Sequence, residues 1–229
     1  MKILQIEPNA TDAAAVKLAL KAASFNIYTT DDADEGFDLA RLYEYDAIVL
    51  GLPDAAAFLR RLRSAKIDKP VLVLTYNEDA TSLVDAFAAG ADDYQVKPVL
   101  GGELAARLQA IVRRANGHAR SLLQIGDVTL DLHARVVLVA GERIHFTNME
   151  YRMLELMALR KGTTITKEGF LNQLYGGMDE PEIKIIDVFI CKLRKKLRDA
   201  GARPLIETIW GRGYVMREGL ASPVESGAA

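Results

Sequence analysis

Cysteine is almost missing from this 229-residue chain: Cys191 is the only one. No internal disulfide can form, and a reduced, cytoplasmic compartment is expected. Histidine is scarce too. His118, His133 and His145 lie too far apart for a metal-ligand spacing, so neither a metal nor any other cofactor is expected. No apolar run reaches the roughly 18 residues that a membrane span needs. Met1-Lys2-Ile3-Leu4 passes straight into a strand pattern with no secretion signal. Internal repeats and low-complexity tracts are absent. What is present is ordinary globular material, half hydrophobic and 26% charged, which excludes a disordered chain and suits two ordinary domains.

The net charge of −2 hides an asymmetry. Residues 1–116 carry 13 Lys and Arg against 17 Asp and Glu; residues 117–229 carry 16 against 14. Within Lys184–Arg203 there are seven basic and two acidic residues, a local excess that suits an anionic partner.

The first 116 residues alternate between two periods. Lys2–Ile6, Asn26–Tyr28, Ala47–Leu50, Val71–Thr75 and Asp93–Val96 have strand length. Thr11–Ala23, Ala33–Leu42, Asp54–Ser64, Thr81–Ala89 and Gly102–Arg114 have helical spacing. Five βα units predict a doubly wound, flavodoxin-like α/β domain, with its site at the carboxyl ends of the strands, around Glu7, Gly51, Thr75 and Lys97. A short linker, 117–121, follows. Over 122–218 the pattern changes to α+β. Leu123–Leu130, Val136–Ala140 and Arg143–Phe146 read as strands, with Gly141-Glu142 as a turn. Asn148–Leu159, Lys167–Tyr175 and Ile183–Asp199 read as helices, with Thr147 and Thr166 as N-caps. Ile206–Trp210 and Tyr214–Arg217 form a closing hairpin in which Trp210 is expected to pack in the core or at a hinge. Residues 219–229 form a flexible tail, and its Ala-Ala end resembles tags read by bacterial energy-dependent proteases.

The third helix of this second domain carries the binding hypothesis. On a wheel, Ile186, Ile190, Leu193 and Leu197 form one stripe, with Phe189 beside them. Lys184, Val188, Cys191, Lys192, Lys195 and Arg198 face the other way, where cations reach phosphates or base edges and Val188 and Cys191 meet thymine methyls. Arg194 is counted with this basic set. With the helix before it, this is a helix-turn-helix reading, and double-stranded DNA is the expected partner. Arg212, at the Gly211-Arg212-Gly213 tip, suits a minor groove.

These segments resemble the OmpR/PhoB class of bacterial response regulators, an α/β receiver joined to a winged helix-turn-helix domain. The most specific stretches are Leu159–Leu197 and Ile206–Val215, IETIWGRGYV; Gly90-Ala91-Asp92-Asp93-Tyr94 and Lys97-Pro98 extend the match into the receiver. The resemblance implies a two-component DNA-binding transcription regulator, not an enzyme. It also implies a phosphorylation site that this chain has partly lost. Such a site uses two acids after the first strand, an acceptor Asp after the third, a hydroxyl after the fourth and a Lys after the fifth. Glu7, Thr75 and Lys97 match, but Pro8 replaces the second acid and Gly51 the acceptor, and the loop after Gly51 is short. Asp54, near a helix start, reads as a cap. Lys97, without a phosphate, is expected to pair with Glu7.

A phosphorylation-independent receiver is therefore expected, serving dimerisation or docking. In this class the face of helix four, strand five and helix five forms a symmetric dimer, which places Asp92, Asp93, Glu103, Arg107 and Arg114 at the homodimer contact; the usual basic residue of helix four is absent. The loop Gly176–Glu182, with Asp179, Glu180 and Glu182, corresponds to one that contacts RNA polymerase. The alternative is a protein-interaction antagonist that pairs with a phosphorylatable relative.

Overall fold

The computed structural model describes residues 1–175 and 181–218. The chain divides into two compact units, Met1–Gly117 and His118–Ala229.

In the first unit β1 (Lys2–Ile6), β2 (Asn26–Thr30), β3 (Ala47–Leu50), β4 (Val71–Thr75) and β5 (Asp93–Val96) pair in parallel in the order β2-β1-β3-β4-β5. Both β1 and β3 are buried along their whole length, which is why they read as unbroken apolar runs. The pleat sends alternate residues to opposite faces. Leu4 and Ile6 pack with Ile48, Leu50, Phe58, Leu59 and Leu62, whereas Ile3 packs with Val49, Leu72, Val16, Leu20, Leu104 and Leu108. The helices α1 (Ala10–Ala22), α2 (Ala33–Leu42), α3 (Ala55–Ser64), α4 (Ala80–Ala88) and α5 (Gly101–Ala115) supply the two layers. Among them α4 buries least, only Ala86. The chain order reverses across β1 and β3, so the crevice of this fold opens where Glu7 and Gly51 leave those strands.

The second unit begins with an antiparallel sheet, β6 (Leu122–Ile125), β7 (Val128–Asp131), β8 (Val136–Val139) and β9 (Glu142–Ile144). Here the structure corrects the sequence reading. Leu123–Leu130 is two strands, not one, because Gly126 takes φ +57° and turns the chain back so that Ile125 faces Val128. The turn between β8 and β9 is Ala140-Gly141 rather than Gly141-Glu142, with φ +50° and +87°, the paired positive values that let a two-residue loop follow the twist of its strands.

Three helices follow, α6 (Asn148–Leu159), α7 (Lys167–Tyr175) and α8 (Ile185–Asp199), then the hairpin of β10 (Ile206–Ile209) and β11 (Gly213–Met216). Thr147 and Glu150 complete a capping box on α6, and the Thr166 hydroxyl accepts from Gly169 N at 3.0 Å. Tyr151, Leu154, Phe170, Leu174, Ile186, Ile190, Leu193 and Tyr214 share one core. The hairpin is stapled to the start of α7: Tyr214 and Ile165 exchange backbone hydrogen bonds of 3.0 and 2.8 Å. Gly213 allows this approach, since a Cβ there would lie 2.1 Å from Ile165 O.

Candidate phosphoryl site and nucleic-acid interface

Glu7, Gly51 and Lys97 directly follow β1, β3 and β5, and Thr75 ends β4, so the four stand at the carboxyl ends of adjacent parallel strands. Lys97 Nζ donates to Glu7 Oε2 at 2.5 Å and to Asp12 Oδ2 at 2.8 Å. All three side chains are buried or nearly so. The other oxygen of Glu7 accepts from Asn9 N at 3.0 Å, and Tyr76 donates its hydroxyl to Asp12 Oδ1 at 2.8 Å. Burial drives the Lys97 ammonium toward neutrality, but the hydrogen bonds it donates to Asp12 and Glu7 outweigh it and hold its pKa above the ordinary 10.5. For Asp12, burial raises the pKa, yet Lys97 and Tyr76 together bring it below 3.8.

The Glu7 carboxylate also fills the place an acceptor would need. A Cβ at Gly51 would fall 1.9 Å from Glu7 Oε2 and 2.6 Å from Glu7 Cδ. Making room there would disturb the bond between Glu7 and its buried ammonium partner. The position after it, Pro8, has no ligand atom in its side chain, and Asn9 caps α1 by accepting from Thr11 N and Asp12 N. Asp54 caps α3, its Oδ1 accepting from Ala57 N at 3.0 Å. It borders a cleft of about 180 Å³ between α3 and α4 that Thr75, Asn77, Ser82 and Asp85 also line.

In the second unit the helix wheel holds: Ile186, Ile190, Leu193 and Leu197 are buried, while Lys184, Val188, Cys191, Lys192, Lys195 and Arg198 are exposed. Two cations of α8 are committed elsewhere. Lys196 Nζ reaches the buried Glu150 carboxylate at 2.7 Å and His145 O at 3.1 Å. Arg194, expected on the DNA face, is turned toward the hairpin: its guanidinium donates to Ile206 O at 2.9 and 3.1 Å and to Thr208 Oγ1 at 2.9 Å. Both residues sit at the seams beside the buried stripe, where a long side chain finds acceptors on neighbouring elements. Lys184 and Lys195, by contrast, make no ion pair among the described residues.

Trp210 overturns the expectation of core packing. It is 90% exposed, in the turn where Arg212 N bonds Ile209 O, because central positions of a tight turn project away from the sheet. The signal was its place beside Gly211-Arg212-Gly213, outside the alternation of the strands.

Around the expected dimer face, Arg107 bonds Glu103 at 2.9 Å and Asp93 at 3.1 Å within the one chain. Asp92 is occupied inside the fold, accepting from Val71 N at 2.8 Å and from Arg63 at 3.3 Å. Arg114 is exposed near the end of α5, and Val84 and Phe87 stand out from α4. In the expected polymerase loop, Asp179 and Glu180 lie outside the described residues; Glu182 is exposed just before α8.

Comparison with known proteins bears on both units. Residues 3–109 match the response regulator receiver domain and residues 141–216 the C-terminal domain of transcriptional regulatory proteins. The cell cycle transcriptional regulator CtrA of Caulobacter vibrioides (strain NA1000 / CB15N) is 53% identical over 223 residues, 95% of this chain and 96% of that protein. The cell cycle response regulator CtrA of Brucella ovis is 54% identical over 232 residues, 99% of this chain and 100% of that protein. The chain belongs to the OmpR/PhoB-type response regulators and is closely related to CtrA. As a member of this family it is a two-component response regulator and DNA-binding transcription factor, not an enzyme, and its C-terminal domain binds DNA. No described helix is long and apolar enough to cross a membrane.

Proposed function

We propose that this CtrA-type transcription factor binds specific DNA sequences in the bacterial cytoplasm without aspartyl phosphorylation of its receiver, which serves as a dimerisation or docking module. One observation carries the reading. The Glu7 carboxylate, held by Lys97 at 2.5 Å, occupies the space into which any side chain at Gly51 would have to grow. The receiver spans 1–116 and the DNA-binding domain 122–218. DNA contact falls to Lys184, Val188, Cys191, Lys192, Lys195, Arg198 and Arg212, whose exposure supports it. Homodimerisation would use the face carrying Asp93, Glu103, Arg107 and Arg114, flanked by the exposed Val84 and Phe87.

Incubation with acetyl phosphate and magnesium, followed by intact-mass analysis, tests the reading. The mass stays unchanged, and the affinity for DNA is the same with and without the donor. A hydroxylamine-sensitive phosphoryl adduct on any aspartate overturns it.

A second reading has its own support. The same exposed apolar pair on α4 suits a phosphorylatable relative as well as a second copy, which would make the chain an antagonist acting by pairing. Mixed oligomers without independent DNA binding favour that alternative.

A further inference from the structure

Asp187 and Arg194 lie two turns apart on α8, about 20° from each other at 3.6 residues per turn, on the seam between the buried stripe and the exposed face. Both reach Tyr214 of β11. The Tyr214 hydroxyl donates to Asp187 Oδ1 at 2.5 Å, and the Arg194 guanidinium lies 5.6 Å from the ring centroid. The second Asp187 oxygen accepts from Lys167 Nζ at 2.8 Å, and the Tyr214 ring meets the ring of Phe170 of α7 at 6.4 Å between centroids. Arg194 also grips β10 through Ile206 O and Thr208 Oγ1. Two strands of the hairpin are thus tied to one edge of the helix at two levels.

We propose that Asp187, Arg194 and Tyr214 are positioning residues for DNA recognition, a clamp that sets the hairpin tip, with Trp210 and Arg212, at a fixed offset from the basic face of α8 so that both engage one duplex together. The proposal rests on the reading of that face and that tip as DNA contacts. Each clamp residue acts through the hairpin and touches no nucleic acid. Asp187 would otherwise be an anion on a helix that approaches phosphates; with Lys167 and the Tyr214 hydroxyl on its two oxygens, its charge is balanced where it stands. The lone ion pair is half-exposed and worth little by itself as a source of stability. Its geometric effect is larger, because a hairpin free to tilt loses the entropy advantage of presenting two contact elements in register.

The full chain, titrated with a duplex obtained by in vitro selection with the wild-type protein, supplies the test. Trp210 is the single tryptophan, so its emission reports the hairpin tip alone. On wild type, DNA changes the Trp210 emission. Tyr214→Phe, which deletes only the hydroxyl, and Arg194→Lys each weaken binding about tenfold, the scale of one hydrogen bond to a charged group. Both lower the salt slope by about one unit as the Arg212 cation is lost from the duplex, and both reduce the Trp210 change at saturating DNA. In an Arg212→Ala background, Tyr214→Phe then weakens binding no further. If the substitutions merely loosen the domain, affinity falls together with the thermal midpoint, effects add in the Arg212→Ala background, and Trp210 responds as in wild type; that result overturns the clamp. A wild-type chain that binds DNA with no change at Trp210 overturns the tip-contact reading on which the clamp rests.

Discussion

A side chain at Gly51 would displace the carboxylate of Glu7 from its present position: the Cβ of the first would stand 1.9 Å from Oε2 of the second. That shift works against Lys97 and Asn9 N, which hold the two oxygens of Glu7. Restoring an aspartate by the single substitution Gly51→Asp is therefore expected to fail as a repair. It should lower stability by about 1–3 kcal/mol, the usual cost of overpacking, and yield no phosphoryl adduct with acetyl phosphate. Urea unfolding and intact mass measure the two outcomes.

Lys97 is the cation between two carboxylates, so its removal strands the buried Glu7. Lys97→Met is expected to cost about 3–5 kcal/mol, the range for breaking one side of a buried pair. Adding Glu7→Gln to the same chain should return a large part of the loss, because the more deeply buried carboxylate is then neutral while Asp12 keeps its bond from Tyr76. Denaturant unfolding of the two variants decides it.

The pH dependence of stability at this site follows from Lys97 and Asp12. Lys97 has a folded pKa above 10.5, so its contribution is complete below 10.5 and is lost as pH rises through the folded value. Asp12, lowered below 3.8, contributes above 3.8 and ceases to as pH falls through its folded value. Between these limits Lys97 and Asp12 add no slope. Thermal midpoints measured above pH 10 should fall more steeply for wild type than for the Lys97→Met, Glu7→Gln chain.

Neighbouring lysines of α8 should behave differently. Lys195 is exposed, and Lys195→Ala should weaken DNA binding by about 1–3 kcal/mol if it reads a base, or reduce the salt slope by about one unit if it meets only a phosphate. Lys196 instead neutralises the Glu150 carboxylate of the α6 capping box. Lys196→Ala should lower the thermal midpoint and leave the salt slope intact. Parallel melting and filter-binding series separate the two.

The acidic loop makes a transcriptional prediction. With Asp179 and Glu180 replaced by alanine, DNA occupancy should survive while transcription from a bound promoter drops in a reconstituted assay. Unchanged output at normal occupancy removes the polymerase contact.

Both architectures were legible in the residues, because strand and helix periods and capping pairs are local, although the turns at Gly126 and Ala140-Gly141 were not. The runs Lys2–Ile6 and Ala47–Leu50 announce strands buried on both faces, and Thr147 with Glu150 announces the start of α6. The sequence also determined that Pro8 and Gly51 lack the carboxylates of a phosphoryl site, since that is a matter of residue type. Where those losses lead was decided by tertiary structure. Glu7 and Lys97 meet across 90 positions, and only the sheet order brings them within 2.5 Å. Arg194 and Lys195 are adjacent cations in the sequence, yet one is drawn to the hairpin and the other left in solvent. Helix periodicity separates buried from exposed, but a residue at the seam takes its role from whichever acceptor a neighbouring element places there. Trp210 makes the same point in reverse: its apolar surface suggested the core, and the turn geometry between β10 and β11 placed it outside.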